Sequence, residues 1–365
     1  MADGELVFEV ETRPDRTPDE VRDAALAAPR FGAVFTDHMA LAHWTPDDGW
    51  HDAVVTAYRP LEVSPAAAVL HYAQEIFEGL KAYRHADGTV WSFRPERNAA
   101  RFAASAARLA LPQLPAADFL ESVKTLVRVD QAWVPPAGDG EASLYLRPFM
   151  IAVEPNLAVR PSRQVTYGVI ASPAGPYFPG GIAPVSIWLA TNHTRAAHGG
   201  TGEAKCGGNY AASLAAQAEA VANGCDQVAF LDAAERTWVE ESGSMNLCFV
   251  YRDGRIVTPE LSGAILDGIT RASILELATG LGHQVEERRV SIDEWRDGVA
   301  SGDITEVFAC GTAAVVTPVG RLVWDGGEAA CPPGVGPVTA RLRTSLLDLQ
   351  YGRTPDDRGW LTRLA

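Results

Sequence analysis

At 365 residues, with 47% hydrophobic and 21% charged side chains, the chain has a globular composition and a length suited to about two domains. Its 31 basic and 46 acidic side chains give a formal net charge of −15, which argues against a nucleic-acid partner and reads as solubility. A small anionic substrate stays open, because a few arginines in a cleft overrule the global field. Five cysteines (Cys206, Cys225, Cys248, Cys310, Cys331) form no CxxC pair and have no histidine at metal spacing, so neither a disulfide framework nor a metal site is expected. The acidic start lacks an apolar signal segment, and no run approaches the ~18–20 apolar residues that span a bilayer. A cytoplasmic protein with no membrane partner is expected.

In chain order, residues 1–30 are acidic and contain proline, and read as a loosely ordered arm. Residues 31–170 alternate strand-like runs (VFTDHMALAHW, GTVWSFRP, EASLYLRPFMIAV) with two helices, Glu96–Ala110 started by Pro95, and Ala116–Ala132. The segment 171–185, ASPAGPYFPGGIAPV, is rich in proline and glycine and reads as an interdomain linker. The second domain, 186–365, opens on the strand VSIWLAT and passes through a Gly-rich loop to a helix at 211–223 that stops at Gly224. Strands QVAFLD, RTWVEES, MNLCFVY, GRIVTP and ITEVFAC follow, with helices at Thr270–Leu281 and 337–350. Strands and helices mix without regular βαβ spacing, so the fold class is α+β.

The most unusual segment is HGGTGEAKCGGNY (198–210), one lysine between two glycine clusters that permit close backbone approach to a ligand. It is not a phosphate loop of the Walker type: Ala204 stands where glycine must precede the lysine, and Cys206 replaces the magnesium-binding Ser/Thr. A lone loop lysine is ordinarily a solvated charge. This one has company, because six further segments accompany it: FGAVFTDHMALAHW, LHYAQEIFEGLKAYR, FRPERNAARFAASAARLALP, EESGSMNLCFV, LDGITRASILELA and EVFACGTAAVVTPV. Together they resemble, in order and over about residues 30–350, the class IV (fold type IV) aminotransferases, specifically the branched-chain amino acid aminotransferases.

The resemblance implies a two-domain fold type IV enzyme, D-amino-acid aminotransferase-like, with its active site at the domain interface and the lysine carried by the larger second domain. It implies pyridoxal 5'-phosphate as cofactor and Lys205 as the Schiff-base lysine, an amine that must be free and so needs a depressed pKa or a protected site. The ring nitrogen needs a carboxylate to keep its proton. Glu240 and Glu241 are both candidates, and strand geometry sends them to opposite faces. The family pattern Glu-x-Gly-(Ser/Thr)-Met-Asn selects Glu241, followed by Ser244. Tyr210 fits the donor to the ring oxygen, against a bland reading as a tyrosine packed at a helix start. The phosphate falls to Arg101 and to the amides of Ile269 and Thr270 at a helix start, with Thr312 at a second glycine-backed turn. Arg195 is a further candidate for it, and Arg94 and Arg97 are read as structural or exposed. Phe31, Tyr72, Tyr145 and Arg147 would line the substrate pocket, with Thr312 and Ala313 near the substrate carboxylate. A homodimer is implied as well.

The resemblance departs in places. The redox CxxC of the mammalian members is replaced by Ala314 and Thr317, Ser244 stands where threonine is common, and Cys206 reads as packing. The expected reaction is transamination of L-leucine, L-isoleucine and L-valine with 2-oxoglutarate. D-amino-acid transamination and aminodeoxychorismate cleavage on the same fold are the alternatives, and those enzymes lack the long N-terminal segment present here. A cofactor-binding protein without activity is a third reading, disfavoured because Glu241, Tyr145 and Arg147 are all present. Preference among the three amino acids is not legible, since one methylene in an apolar pocket is worth only about 1–3 kcal/mol.

Overall fold

The computed structural model describes residues 6–138, 140–176 and 182–365. The chain divides into two compact units: Met1–Tyr177 with Ala204–Gly207 and Asp348–Ala365, and Phe178–Glu203 with Gly208–Leu347.

The first unit is built on a nine-stranded sheet. Its path runs Glu9–Val10, Gly49–Ala57, His38–Thr45, Val165–Ala174, Ser143–Ala152, Leu80–Arg84, Val90–Phe93 and Leu361–Arg363, and Glu75–Phe77 pairs with Ser143–Ala152 beside that path. Two helices, Pro95–Arg108 and Ala116–Val129, supply the other half of the core. The first starts with proline at its opening position, where the missing N–H costs nothing. Its Asn98, Ala99, Phe102, Ser105 and Ala106 are buried at helical spacing, one face of a period near 3.6. Phe102 meets Phe119 at 5.4 Å and Tyr167 at 5.6 Å between ring centroids, so both helices and the sheet share one aromatic cluster.

The second unit carries another nine-stranded sheet, ordered Val239–Ser242, Gln227–Leu231, Val185–Ala190, Val315–Trp324, Ile304–Gly311, Met245–Tyr251, Ile256–Thr258 and Val285–Glu287. Gly327–Ala330 pairs with Val315–Trp324, and Val239–Ser242 also pairs with Met245–Tyr251, so six of the strands close on themselves. Closure leaves those strands without a free edge and fills the interior with Leu247, Phe249, Val307 and Ile187. Trp295, from the helix Ile292–Ser301, plugs this core edge-on to Phe249 at 5.1 Å.

The α+β reading holds, and four expectations are corrected. Residues 1–30 are not a loose arm over the part described: Glu9–Val10 adds to the sheet in parallel with Val54–Val55, and Asp19–Ala27 is a helix. Side chains deeper in the unit anchor this segment. Thr17 N–H and hydroxyl donate to Asp37 at 2.9 and 2.6 Å, and Arg13 N–H reaches His38 Nε2 at 2.9 Å. The linker expected at 171–185 begins too early, because Val165–Ala174 is one continuous strand; residues 177–181 of it lie outside the described residues. The final segment 348–365 belongs to the first unit, where Leu361–Arg363 pairs with Trp91–Phe93. The lysine segment 204–207 does too, tied there by hydrogen bonds of its own backbone. Among the described residues no helix is long and apolar enough to cross a membrane.

Trp295→Ala is expected to cost about 3–5 kcal/mol, the usual range for emptying a large buried aromatic site. Urea unfolding should show it as a lower midpoint with an unchanged slope.

Candidate active site

In the first unit, three hydrogen bonds fix the lysine segment. Lys205 N–H donates to Ser105 Oγ at 2.9 Å, and Phe77 N–H donates to the Lys205 carbonyl at 3.0 Å. Gly207 N–H donates to Glu75 Oε1, and a methyl group at Gly207 would push that carboxylate aside. The Lys205 Nζ then lies over the Phe77 ring, 4.7 Å from its centroid.

The charges around this amine are ordered by one buried carboxylate. Glu78 is fully buried. It accepts from Arg101 through Nε at 2.7 Å and Nη2 at 3.0 Å, from Asn98 Nδ2 at 2.7 Å and from the Gly79 amide at 3.0 Å. Burial would push its carboxyl up, but Arg101 chiefly, with Lys205 and Asn98, holds it below the usual range. Lys205 moves the other way. Desolvation of the amine, with Arg101 and Arg147 adding to it and Glu78 and Tyr145 opposing, lowers its pKa from 10.5 to about 8.

Tyr145 and Arg147 stand on one face of their strand, as alternation predicts, and touch: Arg147 Nη2 donates to the Tyr145 hydroxyl at 3.0 Å. Arg147 Nε is held by the Glu78 carbonyl at 2.9 Å, and its guanidinium lies over Phe77 at 4.8 Å. Phe31 packs edge-on against Tyr145 at 4.8 Å while remaining exposed. A methyl group at Gly79 would overlap the Tyr145 hydroxyl, which explains glycine after Glu78. Tyr72 is elsewhere on this unit: it is exposed and donates to the Leu157 carbonyl at 2.5 Å.

In the second unit, Glu241 is buried, accepts from the Leu266 amide and meets Arg195 Nη2 at 3.4 Å. Arg195 is itself buried and donates to the carbonyls of Gly202 and Ala264, while its Nε has no partner. Asn246, opposite Glu241 in the hairpin, donates to the Leu266 carbonyl at 3.1 Å. Asn246 also closes on Gly268, where a methyl group would overlap its Oδ1. Gly268 caps the helix Ile269–Gly280, so the amides of Ile269 and Thr270 stand at a helix start beside this cluster. The Gly311 turn approaches the Ser244 carbonyl, which puts Thr312 and Ala313 next to the same hairpin. Tyr210 lies in the short helix Gly207–Ala211, partly buried, its carbonyl accepting from Ser213.

Sequence reasoning named Lys205, Arg101, Tyr145 and Arg147 but not the residues that hold them in place. Glu78, Phe77, Ser105 and Asn98 carry no motif meaning by themselves. The signal was present in Asn98, Arg101 and Ser105, spaced three and four apart on one helix face. Arg94 stacks on Trp360 at 4.4 Å and Arg97 is exposed, in line with their structural reading. Cys206 packs in the core of the first unit. Among the described residues no group of His, Cys, Asp and Glu could hold a metal ion.

The family model described as amino-transferase class IV matches residues 75–322, and the chain belongs to this family. Its α+β fold is that of the fold type IV branched-chain aminotransferases. The chain is 56% identical to a branched-chain-amino-acid aminotransferase of Mycolicibacterium smegmatis over the whole of both chains. It is 47% identical to a probable enzyme of the same name from Staphylococcus aureus, over 90% of this chain and 92% of that one. Among solved structures, the Escherichia coli branched-chain amino acid aminotransferase superposes with a TM-score of 0.72 at 27% identity, over 89% of this chain and all of its own. A T.th. branched-chain amino acid aminotransferase with pyridoxamine 5'-phosphate gives 0.71 at 32% identity. It matches 89% of this chain and 99% of its own.

A depressed pKa means that the neutral amine predominates above about 8, so Lys205 in cofactor-free protein should gain reactivity through pH 8. Competitive acetylation read by mass spectrometry, with the half-buried Lys124 as reference, checks this. A Lys205 midpoint near 10.5 would contradict the desolvated site.

Proposed function

We propose that the protein transfers the amino group of L-leucine, L-isoleucine and L-valine to 2-oxoglutarate with the help of pyridoxal 5'-phosphate. The single observation that carries this reading is Lys205: a desolvated amine poised near neutrality, beside the Tyr145–Arg147 pair that can orient a carboxylate. The relatives named for branched-chain amino acids support it over D-amino-acid transamination and over the lyase.

The residues fit the cofactor on an observation of this chain. Arg195 is a buried cation whose Nε lacks a partner, which suits an anionic phosphate. The amides of Ile269 and Thr270 add helix-start donors for the same group, with the Thr312 hydroxyl and Ser244 near them. Arg101 contributes positive charge, its fork oriented by Glu78. Glu241, buried and held by Leu266 and Arg195, would keep a proton on the ring nitrogen, and Tyr210 would donate to the ring oxygen. When bound, the cofactor supplies an electron sink for the substrate's α-carbon.

The chain's own residues do the rest. The Lys205 amine would take the proton from the substrate α-carbon and deliver one to the cofactor carbon on the other side of the amino nitrogen, as base and then as acid. Its pKa near 8 suits both duties at neutral pH. Tyr145 and Arg147 would line the substrate pocket, and Thr312 and Ala313 would meet the substrate carboxylate. Phe31, packed on Tyr145, would line the pocket for a branched side chain, and Tyr72 would contribute to it across the dimer interface.

The protein is further inferred to be a cytoplasmic homodimer. Tyr72 belongs to an exposed apolar surface with Leu70, Leu157 and Val159, larger residues than a free surface ordinarily shows together. Leu157→Glu with Val159→Glu should shift the sedimentation of the protein from dimer to monomer.

Lys205→Ala should abolish turnover, because the reading gives the proton shuttle to this one amine. With the wild-type protein, L-leucine alone should bleach the visible band of the bound cofactor; bleaching by D-alanine and not by L-leucine would defeat the assignment. Glu241→Gln should retain cofactor and lower kcat, because the ring nitrogen loses the carboxylate that keeps its proton and the electron sink weakens, as steady-state kinetics would show.

A further inference from the structure

The second unit contains a cavity of about 360 Å³ that the transamination reading does not use. Its lining includes Trp238, Val239, Glu240, Pro259, Ile265 and Arg289. We propose that this cavity is a second small-molecule site, which takes a protonated amine carried on a compact apolar body.

Glu240 is the reason. It sits one residue from Glu241 in the strand Val239–Ser242, so its side chain leaves on the other face. Only 5% of it is exposed, yet its Oε2 has no hydrogen-bond partner. A buried carboxyl oxygen without a donor is costly, and native structures rarely keep one idle. The Nε1 of Trp238, on the same wall, is a second buried polar atom without a partner.

The sign of the missing charge follows from the neighbours. The groups acting on Glu240 are Arg195, which favours its ionised form, and Glu241 and Asp232, which oppose it. Arg195 is engaged by Glu241 and by two carbonyls. Asp232 is satisfied by the amides of Ala234, Glu235, Thr237 and Trp238. Arg289, the cavity's cation, pairs with Glu260 at 3.4 Å and Glu235 at 3.7 Å and lies over Trp238 at 5.4 Å. His198 Nδ1 is held by the Ser262 carbonyl at 3.0 Å. Four carboxylates therefore face one arginine, and Glu240 is the carboxylate among them with a buried oxygen unanswered. Burial pushes its carboxyl up to about 7, so an ammonium donor would be met by a group ready to ionise. Val239, Pro259, Ile265 and the Trp238 ring supply the apolar wall, and the volume lies within the range of small-ligand sites.

The site does not rest on the transaminase reading, and the probe is chosen to keep the two apart. N,N-dimethylbenzylamine is protonated at neutral pH and, as a tertiary amine, cannot condense with an aldehyde at Lys205. Calorimetric titration of the holoenzyme should give saturable binding at one site per chain. Glu240→Gln should weaken it by about tenfold, the loss of a charge-assisted hydrogen bond. Ala234→Trp, on an exposed turn lining the cavity, should block it without touching Glu240 and serves if the first variant folds poorly. Neutral benzyl alcohol should bind markedly less, and benzyltrimethylammonium, which has no N–H, should fall between. Absence of saturable binding, equal binding by Glu240→Gln or Ala234→Trp, or equal binding of benzyl alcohol would each overturn the proposal. Activity with L-leucine is read separately and bears only on the transaminase reading.

Discussion

The buried ion pair between Glu78 and Arg101 is the constraint on which the lysine site depends. A carboxylate near a lysine normally raises the amine's pKa by favouring its charged form. Here the Glu78 carboxylate is already committed to Arg101, Asn98 and an amide, and the Arg101 charge opposes it at Lys205. Desolvation is then the larger influence, and the amine stays close to its free form. Removing Arg101 alone would leave Glu78 uncompensated beside the lysine and raise the amine's pKa toward its ordinary value.

One helix organises that arrangement. Pro95 starts it, and Asn98, Arg101 and Ser105 follow on a single face. Asn98 and Arg101 hold the carboxylate, while Ser105 accepts the Lys205 amide one turn further on. The Arg-Pro-x-x-Asn-x-x-Arg pattern is therefore a device for positioning a carboxylate and a backbone together. Ala99, Phe102 and Ala106, between these residues, bury the neighbouring stripe against the sheet, so packing energy keeps the polar face aimed.

Much of this was legible and some was not. Helices at Pro95–Arg108, Ala116–Val129 and Ile269–Gly280 announce themselves by periodicity and by proline or glycine at their ends. The helix Ile292–Ser301 carried an equally clear signal that went unread: Ser291 caps Glu294 N–H at 3.0 Å, and Gly302 ends it with φ +74°. The placement of Lys205 in the first unit had no local signal at all. It follows from bonds to Ser105, Phe77 and Glu75, residues about a hundred or more positions away in the chain. The ordering of the N-terminal segment has the same origin, since Asp37 and His38 anchor it from the sheet. Periodicity reports which face of an element is buried; it does not report which distant element covers it.

The global charge and the local charge also part company. A net charge of −15 is a property of the whole chain, and most of its carboxylates are solvated. The described site residues are instead supplied with Arg101, Arg147 and Arg195, and each guanidinium is oriented by carbonyls or carboxylates that fix its direction. Those acceptors leave each cation's position determined before any ligand arrives, so an anion entering would need little reorganisation of them. Glu240 and Glu241 show the same logic within two residues. Strand alternation sends one to an arginine and an amide, and the other to a cavity where its Oε2 finds no hydrogen-bond donor. Identical side chains one position apart thus differ in chemistry because of the face each occupies, and composition cannot record that difference.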